Sequence, residues 1–399
     1  MNAQPARPRF DILAVIMLGG FLNFLTIIQV SPLVPGIARE FGVSTALAGQ
    51  LATLTAVISF LGSILATPLM DRFSRRGWLR VEAGLLGIGL LVSVLAPGFG
   101  WLMLGRAISG LGLAVLTANG YAVAREVFDE PWRTRSVGLF VSASILAFIV
   151  GLPIITSVNA HAASGWRAAL AVTAVPLVIF LLGTGRIPAV RPPAVPGGVF
   201  GAFRVVGGHP EVMWLYGALA AVIGCYGGWL AYFGAWLDDD FAIPAATLSL
   251  LFLVSGSVEL AGNNVVPPLI RRIGPIPVVV GGALCCAVPL LLAGTVFASI
   301  PAAFLMAAMM NVGSAAVIIG VNARLLGVPT SAPGAVMSLG AAANGLGGWS
   351  GPLVAGWLLA ASGRYPSSYR ALGMLALAGG ACVLFAGRAR SRAAAAHGD

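Results

Sequence analysis

Lysine is absent from this 399-residue chain, and charged residues of every kind make up only 9% of it. A soluble globular protein is about one quarter charged, so this chain cannot cover a water-facing surface of its size. All 23 basic residues are arginine, set against 13 acids for a net charge of +10. They stand singly or in pairs between apolar runs rather than along a face with interleaved aromatics, which excludes a nucleic-acid surface. Cysteine is scarce as well. Cys225, Cys285, Cys286 and Cys382 all fall inside apolar runs, where a thiol behaves as a small hydrophobe, and no histidine or second cysteine stands at a ligand spacing. Neither a disulfide nor a metal is expected. The chain also lacks a Walker-type loop, a His-Glu-x-x-His pair, paired acids and a nucleophile beside a base, so ATP-driven work, an enzyme activity and a cofactor are not expected.

What the chain has is apolar length. Hydrophobic residues reach 58% and mean hydropathy +0.95, more than a soluble core could bury. Its 53 glycines and 25 prolines read, in this setting, as close contacts and kinks of packed transmembrane helices. Runs of roughly twenty apolar residues occur at 11–30, 47–70, 78–97, 101–124, 136–158, 166–185, 211–237, 246–269, 276–296, 301–323, 334–360 and 369–388. The first follows Arg7 and Arg9 but is too long, and carries too many polar groups in Asn23 and Gln29, to be a cleaved leader. With the N-terminus inside, Arg72, Arg75, Arg76, Arg80, Arg125, Arg133, Arg135, Arg186, Arg191, Arg204, Arg271, Arg272, Arg324, Arg388, Arg390 and Arg392 join Arg7 and Arg9 on the inner side. Arg39, Arg167, Arg364 and Arg370 fall outside. Positively charged loops stay in the cytoplasm, so both termini are expected there, in the cytoplasmic (inner) membrane of a bacterium.

Residues 186–210 ("RIPAVRPPAVPGGVFGAFRVVGGHP") form the longest connection, rich in proline and glycine, and read as a linker. It divides a bundle at 1–185 from a second at 211–399. An internal repeat supports the cut: "RRGW" at 75–78 answers to "RRIGP" at 271–275, and "GWRAAL" at 165–170 to "YRAL" at 369–372. Weak two-fold similarity of this kind marks transporters whose substrate site lies between equivalent halves.

The loop "TPLMDRFSRR", with Asp71, Arg72, Arg75 and Arg76, resembles the signature loop of the major facilitator superfamily, although Thr67 and Ser74 replace its glycines. The fourth run, "GRAISGLGLA", is similar to an Arg-x-x-Gln-Gly-x-Gly pattern of that superfamily's drug and metabolite exporters, with Arg106, Gly110 and Gly112 matching and Ser109 in place of Gln. A reduced Gly-Pro motif stands at Gly151 and Pro153 and a fuller one at Gly347, Gly351 and Pro352; both are expected to pack helices. The resemblance implies an all-α membrane protein of twelve transmembrane helices in two pseudo-symmetric six-helix bundles. It also implies a cytoplasmic gate in which Asp71 meets the helix starting near Pro333 while Arg72 or Arg75 reaches Glu126.

Glu259 stands deep in the eighth run, about 20 Å along it at 1.5 Å per residue. An acid there costs roughly 2.5–3.5 kcal/mol on insertion scales, and it either loads and releases a coupling proton or acts as glue through Asn263 or Asn264. Arg106 either reaches the outer interface or faces a cavity as the partner of an acid. Tyr226, Trp229 and Phe233 follow helical spacing, as an interfacial belt or as the wall of a substrate cavity. Asn23, Gln29, Asn119, Asn311, Asn322 and Asn344 line the same space or bond between helices. Glu82 is expected to pair with Arg80 or Arg76 at the interface, and Asp238, Asp239 and Asp240 to form a solvated cap.

The expected function is secondary transport of a small organic molecule by alternating access, as proton-coupled export of a drug or metabolite. A gradient-driven uniporter or importer on the same fold, and a non-transporting sensor, are the alternatives. The partners expected are the substrate, protons and membrane lipid, with no nucleic acid, and the protein is expected to act as a monomer.

Overall fold

The computed structural model describes residues 9–66, 73–114, 116–128, 132–189, 210–328 and 333–397. Among them every regular element is a helix. The α-helices are α1 Phe10–Ile28, α2 Val34–Phe41, α3 Thr45–Ala66, α4 Arg75–Val94, α5 Phe99–Leu113, α6 Leu116–Val127, α7 Trp132–Leu146 and α8 Leu152–His161. They continue with α9 Trp166–Ala171, α10 Ala174–Gly183, α11 Pro210–Phe241, α12 Ala245–Ile273, α13 Pro275–Leu291, α14 Ile300–Leu326, α15 Pro333–Ser362 and α16 Tyr365–His397. Nine helical stretches among the described residues are long and apolar enough to cross a membrane. Several short helices follow one another directly: α1 is succeeded by a 3-10 turn and α2, a helical stretch of 32 residues in sequence.

The interruptions follow from proline. Pro153 lacks an N–H and crowds the carbonyl four residues earlier, and the chain answers with a wide π-type turn at Ala147–Gly151 before α8. Pro176 acts in the same way on the α9–α10 rod, where Val175 bonds the Val172 carbonyl in a tighter turn. Ends are set by ordinary caps: Ser74 accepts from the Gly77 amide and Ser299 from the Ala302 amide, satisfying amides that open a helix.

The chain forms two compact units, one of Met1–Gln29 with Val57–Ala194, the other of Val30–Ala56 with Val195–Asp399. The core of the first gathers Ile12, Ile16 and Leu22 of α1, Leu79 and Leu86 of α4, Val123 of α6, Phe140 of α7 and Phe180 of α10. The second is organised on α11, whose buried face runs from Val212 to Leu237. There α15 approaches α11 backbone to backbone. A Cβ on Gly347 would meet the Ala220 carbonyl, and one on Gly351 would run into the Gly224 backbone. Only glycine permits that approach, the small-residue packing typical of helices in lipid.

Candidate functional site

In the first unit, Arg75 and Glu82 stand seven residues apart on α4 and Asn119 and Glu126 seven apart on α6, two turns that keep each pair on one face. The helices run antiparallel, so the four side chains form a chain of contacts. Arg75 Nη2 lies 3.0 Å from Glu126 Oε1, and its Nη1 donates to Asn119 Oδ1 at 3.3 Å. Asn119 Nδ2 in turn donates to Glu82 Oε1 at 2.9 Å. Glu82 is 1% exposed, and its Oε2 is buried with no hydrogen-bond partner among the described residues.

This corrects the expectation of an interfacial Glu82 paired with Arg80 or Arg76, and makes Glu82 a second deep acid beside Glu259. The seven-residue spacings Arg75/Glu82 and Asn119/Glu126 were the signal in the sequence that could have revealed it. Arg76 instead donates to the Ile187 carbonyl at 2.6 Å. Asp71 and Arg72 lie outside the described residues.

Arg106 does not reach the interface. It is 2% exposed and donates to the Thr26 carbonyl at 2.5 Å, beside a small cavity lined by Gln29, Ser93, Ser109 and Thr173. The Thr173 hydroxyl donates to Gln29 Oε1 at 2.7 Å, and Asn23 Nδ2 donates to the Thr117 hydroxyl at 3.0 Å. Bonds between helices therefore occupy Asn23, Gln29 and Asn119.

In the second unit, Glu259 has one carboxylate oxygen, Oε2, buried without a hydrogen-bond partner among the described residues. Asn264 is exposed and bonds the Leu260 carbonyl of its own helix, so it does not hold Glu259. The charge of Glu259 acts on Tyr226 of α11, and the Tyr226 hydroxyl donates to Asn311 Oδ1 of α14 at 2.9 Å. Three helices thus bring Tyr226, Glu259 and Asn311 to one region.

The aromatic residues continue from there as a column. Ring centroids lie 5.7 Å apart for Tyr226 and Trp229, 4.4 Å for Trp229 and Phe233, and 6.0 Å for Phe233 and Trp236. All are buried, so they pack the unit's interior rather than face open space. Asn344 is exposed on α15. The acidic run at the far end of α11 is solvent-exposed at Asp239 and Asp240, as expected of a cap, and each of its acids also has a partner. Asp238 pairs with Arg39 at 3.9 Å, Asp239 accepts from the Tyr365 hydroxyl at 2.5 Å, and Asp240 accepts from Trp236 Nε1 at 2.9 Å.

Buried ionisable groups inside a bundle of membrane-length helices define a polytopic membrane protein of the kind that handles solutes or ions. The sequence profile described as Major Facilitator Superfamily matches residues 16–327, and the chain belongs to that superfamily. It is 34% identical over 127 residues to YwfA, an uncharacterised MFS-type transporter of Bacillus subtilis (strain 168), the match covering 31% of this chain and 30% of YwfA. Over 246 residues it is 24% identical to YbcL of the same organism, also an uncharacterised MFS-type transporter, covering 59% and 60% of the two chains. The matches thus span about a third to three fifths of these relatives. The fold matches the crystal structure of a bacterial homologue of the human lysosomal transporter Spinster, in an inward-facing and occupied conformation. The TM-score is 0.77 at 17% identity, with 96% of this chain and 97% of that one covered. The architecture is therefore the all-helical major facilitator fold.

Proposed function

We propose that the chain is a secondary transporter that moves a small organic molecule across the membrane by alternating access, as a proton-coupled exporter of a drug or metabolite. The observation that carries the coupling is Glu259: an acid deep in α12, one oxygen buried without a partner among the described residues, whose charge acts on the Tyr226 hydroxyl that donates to Asn311. A carboxyl buried in a membrane-spanning helix with an oxygen free of hydrogen bonds from the described residues can take and give a proton more readily than an acid whose oxygens are both engaged. The superfamily and the similarity to MFS-type transporters support the transport step. On this reading the halves are 1–185 and 211–399, and Asp71 with Arg72, Arg75, Arg76 and Glu126 closes the cytoplasmic side.

Glu82 favours a second reading of the coupling. It too has an oxygen without a partner among the described residues, and the contacts through Asn119 and Arg75 lead from it to Glu126, which is more exposed. The two readings separate in inside-out vesicles. Glutamine keeps the shape of the acid but exchanges no proton, so Glu259→Gln should abolish movement driven by a pH gradient while leaving substrate-for-substrate exchange intact. Retained gradient-driven movement in Glu259→Gln, with loss in Glu82→Gln, would transfer the role to Glu82. Retention in both would place the coupling on a group other than these two acids, and a parent protein that no pH gradient drives would leave a uniporter driven by its substrate's own gradient.

A further inference from the structure

The first unit carries a groove of about 650 Å³ between α1, α7 and α10, walled by Leu18, Phe21, Leu146, Val150, Ile179 and Leu182. Four of these, Leu146, Val150, Ile179 and Leu182, are exposed. The groove runs from Asp11 to Phe21 along α1, about 15 Å at 1.5 Å per residue. That is half of a hydrocarbon core roughly 30 Å thick, the depth of one leaflet.

Its charged end is where α10 finishes. Arg186 lines the groove, Arg9 donates to the Arg186 carbonyl at 3.4 Å, and Arg76 bonds the Ile187 carbonyl. Arg80 lies 3.8 Å from the point where a Cβ on Gly185 would stand. Asp11, which pairs with Arg9 at 3.8 Å, is the carboxylate at this mouth. Capping of the Arg186 and Ile187 carbonyls, in the turn that follows α10, accounts for Arg9 and Arg76. It leaves Arg80 and Arg186, both exposed and without an ion pair among the described residues. Basic pockets between transmembrane helices on the cytoplasmic side suit anionic lipid headgroups.

We propose that this groove is a binding site for one anionic phospholipid, an acyl chain lying along α1 and α10 and the phosphate held by the arginines around Arg186. An ordinary annular lipid would fill the apolar walls equally well whatever its headgroup, so the arginines make the difference testable.

The full-length protein, stripped of lipid in detergent, is offered phosphatidylglycerol or phosphatidylcholine with the same acyl chains. Bound lipid is counted by native mass spectrometry and the melting temperature is recorded. The site requires at least a tenfold preference for phosphatidylglycerol, falling to twofold or less in Arg80→Gln/Arg186→Gln. Leu182→Trp replaces a side chain already 74% exposed, so it tests the groove with little risk to folding; it should lower the retention of both lipids. Equal binding of the two lipids, a preference that survives the arginine substitutions, undiminished retention in Leu182→Trp, or equal stabilisation by inorganic phosphate alone would each overturn the proposal.

Discussion

The side-chain amide of Gln50 donates to the hydroxyl of Tyr232 at 3.0 Å, and that hydroxyl donates in turn to the Ala46 carbonyl at 3.0 Å. Two further contacts lie on either side: Ser31 Oγ donates to the Leu230 carbonyl at 2.5 Å, and Arg39 pairs with Asp238. The segment Val30–Ala56 is tied in this way along α11 from Leu230 to Asp238, across 182 to 199 residues of sequence. Gly49 and Gly356 leave the room that the Tyr232 ring needs.

Tyr232 is 1% exposed, so Tyr232→Phe leaves the Ala46 carbonyl and the Gln50 amide without this partner in a dry place. The expected loss is about 1–3 kcal/mol, read as a lowered melting temperature in detergent. Gln50→Ala should cost less, since it removes a donor and leaves the Tyr232–Ala46 bond in place. A Tyr232→Phe protein as stable as the parent would show that this contact contributes nothing to holding the segment.

Two glycines three residues apart on α15 should behave in opposite ways. Gly351→Ala drives a methyl into the Gly224 backbone of α11, an overpacking expected to destabilise by about 1–3 kcal/mol. Gly348 has nothing within 4 Å of its missing Cβ, and in a helix interior alanine is favoured over glycine by roughly 0.5–1 kcal/mol. Gly348→Ala should therefore be neutral or stabilising. Thermal unfolding of the two variants side by side checks the helix register; equal effects would mean that the α11–α15 approach is misplaced.

The helices were legible in the sequence because lipid demands long apolar runs and arginine marks their ends. The glycines of α15 were an equally local signal. What was not legible depended on which faces meet. Glu82 looks interfacial from its distance to Arg80 and is buried because α6 brings Asn119 against it. Tyr226, Trp229 and Phe233 carry the spacing of a helix face, but spacing alone does not say whether that face meets protein, lipid or a cavity. Arg106 sits near the end of an apolar run and yet turns inward, to a Thr26 carbonyl whose position no local pattern records.

The contact chain on α4 and α6 predicts an order of severity. Asn119 is fully buried and joins Arg75 to Glu82, so Asn119→Ala strands a guanidinium donor and a carboxylate together, with about 1–3 kcal/mol lost for each group left unsatisfied. Glu126 is the more exposed partner, and Glu126→Gln, which keeps an acceptor for Arg75, should cost about 1 kcal/mol or less. A double-mutant cycle on Arg75 and Glu126 should give a coupling on the order of 0.5–3 kcal/mol. Additive effects would mean that the two side chains do not depend on each other.

Tyr226 offers a test that separates packing from coupling. Its hydroxyl donates to Asn311 Oδ1, while Asn311 Nδ2 donates to the Ala307 carbonyl at 2.7 Å, so the amide is held with its oxygen toward Tyr226. Tyr226→Phe keeps the ring and its tilted contact with Trp229 but leaves Asn311 Oδ1 without that donor, at a cost of about 1–3 kcal/mol in stability. If the residue only packs, transport should fall in proportion to folded protein, with gradient-driven movement and substrate exchange reduced alike. If it keeps Glu259 in its working environment, gradient-driven movement should fall several-fold more than exchange, and the pH at which transport is half-maximal should move. The measurement is the ratio of the two rates across a pH series in proteoliposomes, normalised to folded protein. A ratio and midpoint unchanged from the parent would confine Tyr226 to packing and leave Glu259 to act without it.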